Sequence, residues 1–309
     1  MTRLAIPSFA KINWILKILG KRHDGYHQIR TIYQTINLHD EVVFETTRNK
    51  NIQLEIRGRD VAQSVDNLLY RAAKLLQNYS GHQAGVRISL HKKIPIGAGL
   101  GGGSSNAAMA LLALNQLWQC QLCKDTLATL AAQLGSDVPF FLMGGQVAAG
   151  GRGEQLLPLS DIAEKQTLLL LYPHFELASH TAYSLGQWDD HAESDLSTSA
   201  ILDTTMHRLV RMLDSKKYNW SLLENDFERT LFQHYPILVE AKSILENMGC
   251  KRVMLCGSGS TLLGFGNIKT LKEIADSLSH QEIGEAFTCQ TLSRGQYRQF
   301  LTDSGLDDV

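Results

Sequence analysis

The chain has 309 residues, 44% apolar and 20% charged, with 30 Lys and Arg against 31 Asp and Glu for a net charge of −1. These proportions exclude a disordered chain, a collagen-like repeat and a coiled coil, and the length suits roughly two domains, each able to bury a core. A balance so near zero argues against a general electrostatic hold on nucleic acid or anionic membrane, while leaving room for one small basic pocket.

Near the N-terminus the chain alternates. Ile12, Trp14, Leu16 and Ile18 share one face, and Lys11, Asn13, Ile15 and Lys17 the other, which predicts a strand with a Lys and an Asn side by side on its polar face. A polar turn over 20–25 precedes strands near 29–38, 42–45 and 53–56. Asp66 offers an N-cap to a helix whose apolar face is Leu68, Leu69, Ala72, Leu75 and Leu76, with Gly81 as its stop. Val86, Ile88 and Leu90 alternate as a strand leading into 92–95, and a glycine cluster comes next. Helical spacing returns in Ala107, Leu111, Leu114 and Trp118, and again in Leu127, Leu130, Ala131 and Leu134 before Gly135.

The second half opens near Leu168 with a short apolar strand, and the acidic stretch 187–200 reads as a loop. Helices come after it, the clearest over 237–248, then strand, glycine turn and strand over 252–256, 257–260 and 261–265. A helix over 271–278 and a strand near 286–292 complete the pattern. Strands and helices interleave, partly as hairpins, so the expected class is α+β in two domains, 1–158 and 159–309. No apolar run approaches the ~20 residues of a membrane span. The apolar N-terminus is broken by Lys11 and Lys17 and reads as a strand, not a signal peptide. Five cysteines, an odd and sparse set, suit a reducing cytoplasm. Cys120-x-x-Cys123 has no second pair at metal spacing, and neither a histidine ligand cluster nor a Gly-x-Ser-x-Gly elbow is present.

The most informative segment is Pro95-Ile96-Gly97-Ala98-Gly99-Leu100-Gly101-Gly102-Gly103-Ser104-Ser105, five of whose residues are glycine, set between a strand and a helix. Glycines let backbone N–H groups close on a ligand, and the helix N-terminus beyond them adds free donors and partial positive charge; together they cradle phosphate with few basic side chains. It is not a P-loop, because it lacks a Gly-Lys-Ser or Gly-Lys-Thr ending. Gly97-x-Gly99-x-x-Gly102 fits the dinucleotide fingerprint, but the first acidic residue beyond is Asp125, beside the next helix and not at a strand end, which weakens an oxidoreductase reading.

Pro95–Ser105 with Asn106-Ala107-Ala108 resembles the ATP-binding motif of the GHMP kinases. Pro7-x-x-Ala10-Lys11-Ile12-Asn13, Arg22-x-Asp24-Gly25-Tyr26-His27, Gly135-Ser136-Asp137-Val138-Pro139-Phe140-Phe141, Asn225-Asp226-Phe227-Glu228 and Gly257-Ser258-Gly259-Ser260 extend the likeness over most of the chain. They are similar to the branch that acts on a cytidine diphosphate substrate of the non-mevalonate isoprenoid pathway. The resemblance implies an N-terminal domain of the ribosomal protein S5 domain 2 type and a ferredoxin-like C-terminal domain. It implies ATP-dependent transfer to the 2-hydroxyl of 4-(cytidine 5′-diphospho)-2-C-methyl-D-erythritol, a small-molecule reaction with no nucleic acid or membrane partner, in a monomer or homodimer.

Asp137, beside Gly and Pro, reads from its position as a turn or capping residue; the resemblance makes it the catalytic base, with Lys11 paired to it and Asn13 on the acceptor substrate. Tyr26 and His27 are then read as the platform and edge contact for cytosine, Tyr183 as a second stacking ring and Thr181 as a polar contact nearby. Gly257–Ser260 closes the cleft. ATP brings Mg²⁺; the hydroxyl of Ser104 or Ser105 is within the motif, and the metal's other ligands stay open. Homoserine kinase, a runner-up in the same family, has no need of Asp24-Gly25-Tyr26-His27. A non-catalytic descendant is disfavoured because Asp137 and Lys11 are both present.

Overall fold

A computed structural model describes residues 2–59, 66–162, 164–189, 201–215, 219–278 and 283–307. Two long strands, β1 (Arg3–Lys21) and β2 (His27–Thr47), form an antiparallel ribbon, so the two strands expected over 29–38 and 42–45 are one. The ribbon carries irregularities between Phe9 and Lys11, Asn13 and Ile15, and Ile18 and Gly20. An extra residue in one strand turns the residues beyond it onto the other face. That corrects the simple alternation: Ile15, expected beside Lys11, is buried with Ile12 and Trp14.

β3 (Ile52–Gly58) and β4 (Gly85–Lys92) pair in parallel, and β4 extends the sheet from the second half of β2. Helix α1 (Leu68–Ser80) joins them; its cap is Asn67 and not Asp66, because the Asn67 side chain accepts from Leu69 N at 2.9 Å. It stops, as expected, at a left-handed Gly81. Helices α2 (Gly102–Leu117), α3 (Lys124–Leu134) and the short α4 (Val138–Met143) cover one core with Val42, Phe44, Val86 and Ile88 of the sheet. β5 (Gln146–Gly150) pairs with the first half of β2, and β6 (Gln155–Pro158) with β5.

The second half contains β7 (Thr167–Tyr172), α5 (Ser179–Leu185), α6 (Thr204–Ser215), the two-residue β8 (Glu224–Asn225), α7 (Phe227–His234) and α8 (Pro236–Asn247). Beyond them lie β9 (Arg252–Leu255), β10 (Leu262–Phe265), α9 (Ile268–Leu278), β11 (Glu285–Gln290) and α10 (Arg294–Asp303). The antiparallel order β11-β7-β10-β9 is the split βαβ arrangement of a ferredoxin-like sheet. Most of the acidic stretch, from 190 to 200, lies outside the described residues.

The halves share a core. Ile12, Trp14 and Ile32 of the first sheet pack with Leu168, Leu170, Met254 and Leu263 of the second, and β8 pairs in parallel with Ile15 and Leu16. The C-terminal α10 returns to the first half: Tyr297 is fully buried among Phe9 and Phe141, and its hydroxyl donates to Phe141 O.

Candidate active site

Between the halves lies a cleft of about 790 Å³, within the range of small-molecule sites. One wall is the glycine loop. Residues Pro95 through Ser104 line it, with Gly97, Gly99 and Gly101 at φ values of 58°, 74° and 69°. At Gly99 a Cβ would meet Cys256 O at 2.0 Å, so the close passage of two backbones demands glycine there. Two of the loop's carbonyls are paired with backbone donors: Leu177 N donates to Gly97 O at 2.9 Å, and Lys11 N to Leu100 O at 3.0 Å. Helix α2 starts inside the loop at Gly102 with no side chain capping it. Its first N–H groups are therefore available to an anion. Ser104 lines the cleft, but Ser105 is fully buried and accepts from Ser8 Oγ at 2.8 Å, which removes it from the expected ligand set.

Beneath the loop sits a group that sequence reasoning missed. Asp40 is fully buried and accepts from Lys92 Nζ at 2.5 Å, Asn106 Nδ2 at 3.0 Å, and the N–H groups of Lys93 and Ile94 at 2.7 and 2.8 Å. Four donors hold one carboxylate against both ends of the loop. Burial lowers the Lys92 ammonium below its usual range, opposed by the Asp40 charge. Nothing local marks Asp40, since its partners come from the end of β4, the two residues after it and α2.

Lys11, Asn13 and Asp137 face the same cleft. Asp137 precedes α4 yet makes no capping hydrogen bond. Its carboxylate instead meets Lys11 Nζ at 3.5 Å through Oδ2 and accepts from Tyr33 Oη at 2.9 Å through Oδ1. Lys11 Nζ also donates to Asn13 Oδ1 at 2.9 Å, and Asn13 Nδ2 donates to Thr31 Oγ1 at 2.6 Å. The Lys11 side chain is 5% exposed and that of Asp137 31%, so the pair has a shielded cation and a carboxylate open to a ligand.

At the far end of the cleft the His27 and Tyr183 rings stack at 4.6 Å and 12°. Tyr26 is half exposed, with the Arg152 guanidinium 4.4 Å from its ring centre. Burial, and then Lys21, lowers the His27 pKa below its usual value. All three predicted rings line the cleft, as does Arg152; Thr181 does not, and its hydroxyl lies 3.3 Å from His180 Nε2.

The Gly257–Ser260 turn closes the cleft from the second half. A Cβ on Gly257 would sit 2.7 Å from Gly99 O and 3.2 Å from Lys11 Nζ. Asn225 holds the turn, donating from Nδ2 to Leu255 O and Gly257 O at 2.8 Å each. Asp226 accepts from Ile18 N at 2.7 Å, and Glu228 from Leu255 N at 2.8 Å. The Asn-Asp-Phe-Glu segment thus clamps the two halves around the site.

The chain matches the GHMP kinases N terminal domain family over residues 67–145, the span holding both the glycine loop and Asp137. It is 39% identical over 268 residues to the 4-diphosphocytidyl-2-C-methyl-D-erythritol kinase of Thermodesulfovibrio yellowstonii, covering 86% of this chain and 91% of that protein. To the kinase of the same name from Acinetobacter baylyi it is 34% identical over 303 residues, 98% of this chain and 100% of the relative. Its fold matches a crystal structure of 4-(cytidine 5′-diphospho)-2C-methyl-D-erythritol kinase with a TM-score of 0.76 at 29% identity, over 93% of this chain and 99% of that one.

Proposed function

The chain belongs to the 4-diphosphocytidyl-2-C-methyl-D-erythritol kinase family, and we propose that it carries out that reaction across the cleft between Asp137 and the glycine loop. The ATP γ-phosphoryl group passes to the 2-hydroxyl of 4-(cytidine 5′-diphospho)-2-C-methyl-D-erythritol, giving ADP and the 2-phosphate. Such a transfer needs positioning and charge stabilisation more than covalent help. The loop amides and the start of α2 hold the ATP phosphates. Asp137 takes the proton of the acceptor hydroxyl, Lys11 stabilises the negative charge that develops on its oxygen, and Asn13 orients the acceptor. Tyr26, His27 and Tyr183 take the cytosine.

The observation that carries this reading is the Asp137 carboxylate itself, free of any capping duty and held between Lys11 and Tyr33 at the mouth of the phosphate loop. Mg²⁺ neutralises phosphate charge when it enters with ATP. Among the described residues no three acidic, His or Cys side chains converge, so the chain's own contribution would be small, the Ser104 hydroxyl in the loop. Five free cysteines support a cytoplasmic setting, and among the described residues no helix is long and apolar enough to cross a membrane. We place the domain division at 1–158 and 159–309, with α10 packed back on the first domain. A coupled ADP-release assay with MgATP, comparing the cytidine substrate with homoserine, mevalonate and galactose, tests the reading. Release with the cytidine substrate alone is expected; release with another acceptor would discard the cytosine pocket.

A further inference from the structure

We propose that Tyr33 is a positioning residue that sets the orientation of the Asp137 carboxylate; this rests on Asp137 acting as the base. Tyr33 lies opposite Asn13 in the β1–β2 register, which puts its ring among Lys11, Asn13 and Asp137. It is 2% exposed. Its ring packs on Phe140 at 5.0 Å, one turn of chain beyond Asp137, and Lys11 Nζ stands 5.3 Å from its centre. Everything about the ring would be met by phenylalanine except the hydroxyl, which donates to Asp137 Oδ1 at 2.9 Å.

The structure also makes room for that hydroxyl. Gly153 has φ 118°, and a Cβ there would fall 2.4 Å from Tyr33 Oη and 3.7 Å from Asp137 Oδ1. A glycine at this point lets the phenol and the carboxylate meet. The phenol acts only as a donor: burial first, then the Asp137 charge, push it well above its ordinary range, so it keeps its proton at any working pH. With Oδ1 engaged by Tyr33 and Oδ2 beside Lys11, the carboxylate is held in one orientation about its Cβ–Cγ bond, which leaves Oδ2 for the acceptor hydroxyl.

The test compares Tyr33→Phe, Gly153→Ala and Asp137→Asn with the unaltered enzyme, reading kcat and both KM values. Tyr33→Phe is expected to lower kcat about tenfold with both KM values within about twofold. Gly153→Ala, which displaces the hydroxyl without removing it, is expected to lower kcat likewise and to add little further loss in the Tyr33→Phe background. A fall in kcat matched by a rise in both KM values would mean a packing defect and overturn the proposal, as would a Tyr33→Phe enzyme indistinguishable from the parent. Asp137→Asn separates the two readings: if it retains near-normal turnover, the base assignment itself falls; if it is inactive while Tyr33→Phe is unaffected, only the role of Tyr33 falls.

Discussion

Lys11 Nζ stands 3.5 Å from Asp137 Oδ2, although one residue belongs to the first strand and the other leads into α4. The ammonium is nearly buried and depends on Asp137 and Asn13 for its partners. Lys11→Met is expected to cut kcat by about 100-fold or more, the scale of losing one donor to developing charge, while ATP binding by calorimetry stays within a few-fold. Lys11→Arg should not rescue it. The Lys11 side chain runs close against the backbone at Gly101 and Gly257, and the wider guanidinium cannot keep the single-point contact of Nζ with both Asp137 and Asn13. Normal turnover in Lys11→Met would remove Lys11 from the chemistry.

Two glycines of the phosphate loop should respond in opposite ways. Gly99 is left-handed and its added Cβ would strike Cys256 O, so Gly99→Ala should destabilise the fold by about 2–3 kcal/mol or prevent it. Gly103 lies in the first turn of α2, where a Cβ meets only Leu68 Cδ1 at 3.7 Å. Gly103→Ala should gain roughly 0.5–1 kcal/mol in urea unfolding, as Gly→Ala does within a helix. Gly103 lines the cleft, so if the loop holds the ATP phosphates as proposed the added methyl crowds them and the KM for ATP should rise about tenfold. An unchanged KM would place the phosphates elsewhere.

His27 makes stability depend on pH. Its folded pKa is lowered from 6.5, by burial first and Lys21 second. The unfolded chain therefore binds the proton more readily than the folded one. The contribution is fully present above the ordinary imidazole value and is lost as pH falls through the folded pKa. The melting temperature of the parent, measured against His27→Gln, should fall relative to that variant as pH drops below about 6.5. Parallel curves over the acidic range would show that the ring is not held neutral against Tyr183.

Asn225 should tolerate no near-isosteric replacement. Its amide nitrogen satisfies two carbonyls, Leu255 O and Gly257 O, while its oxygen accepts from Phe227 N at 3.0 Å. Asn225→Asp keeps the acceptor and turns the donor into a negative charge facing two carbonyls. It should cost about 2–3 kcal/mol and fall below Asn225→Ala in urea midpoint. Turnover should drop in both, because the Gly257 turn rests against Gly99 and Lys11. An Asp variant as stable as the parent would mean the amide does not hold the turn.

Features that depend on neighbours in the chain were legible from residue types alone. The stop of α1 at Gly81, the periodic face of α3 ending at Gly135, and the strand-turn-strand around Gly257 all arise from local periodicity and glycine chemistry. So did the glycine loop, whose composition has few other uses, and the shared face of Lys11 and Asn13. Short elements such as α4, β6 and β8 escaped, being too brief for a period to repeat.

The residues by themselves therefore determined the inventory: α+β elements, a glycine loop suited to phosphate, and a Lys and an Asn on one strand face, whereas Asp137 read locally as a turn residue and only the family resemblance pointed to it as the base. Tertiary structure decided how that inventory is used. The irregularity at Asn13 and Ile15 turned Ile15 into the core, the packing of Ser8 took Ser105 out of the cleft, and Asp40 became the anchor beneath the loop. Only folding brought Tyr33 and Gly153 to Asp137. Periodicity is a property of neighbouring residues, whereas a hydrogen bond between distant segments depends on strand register and backbone clearance, which exist only once the whole sheet has formed.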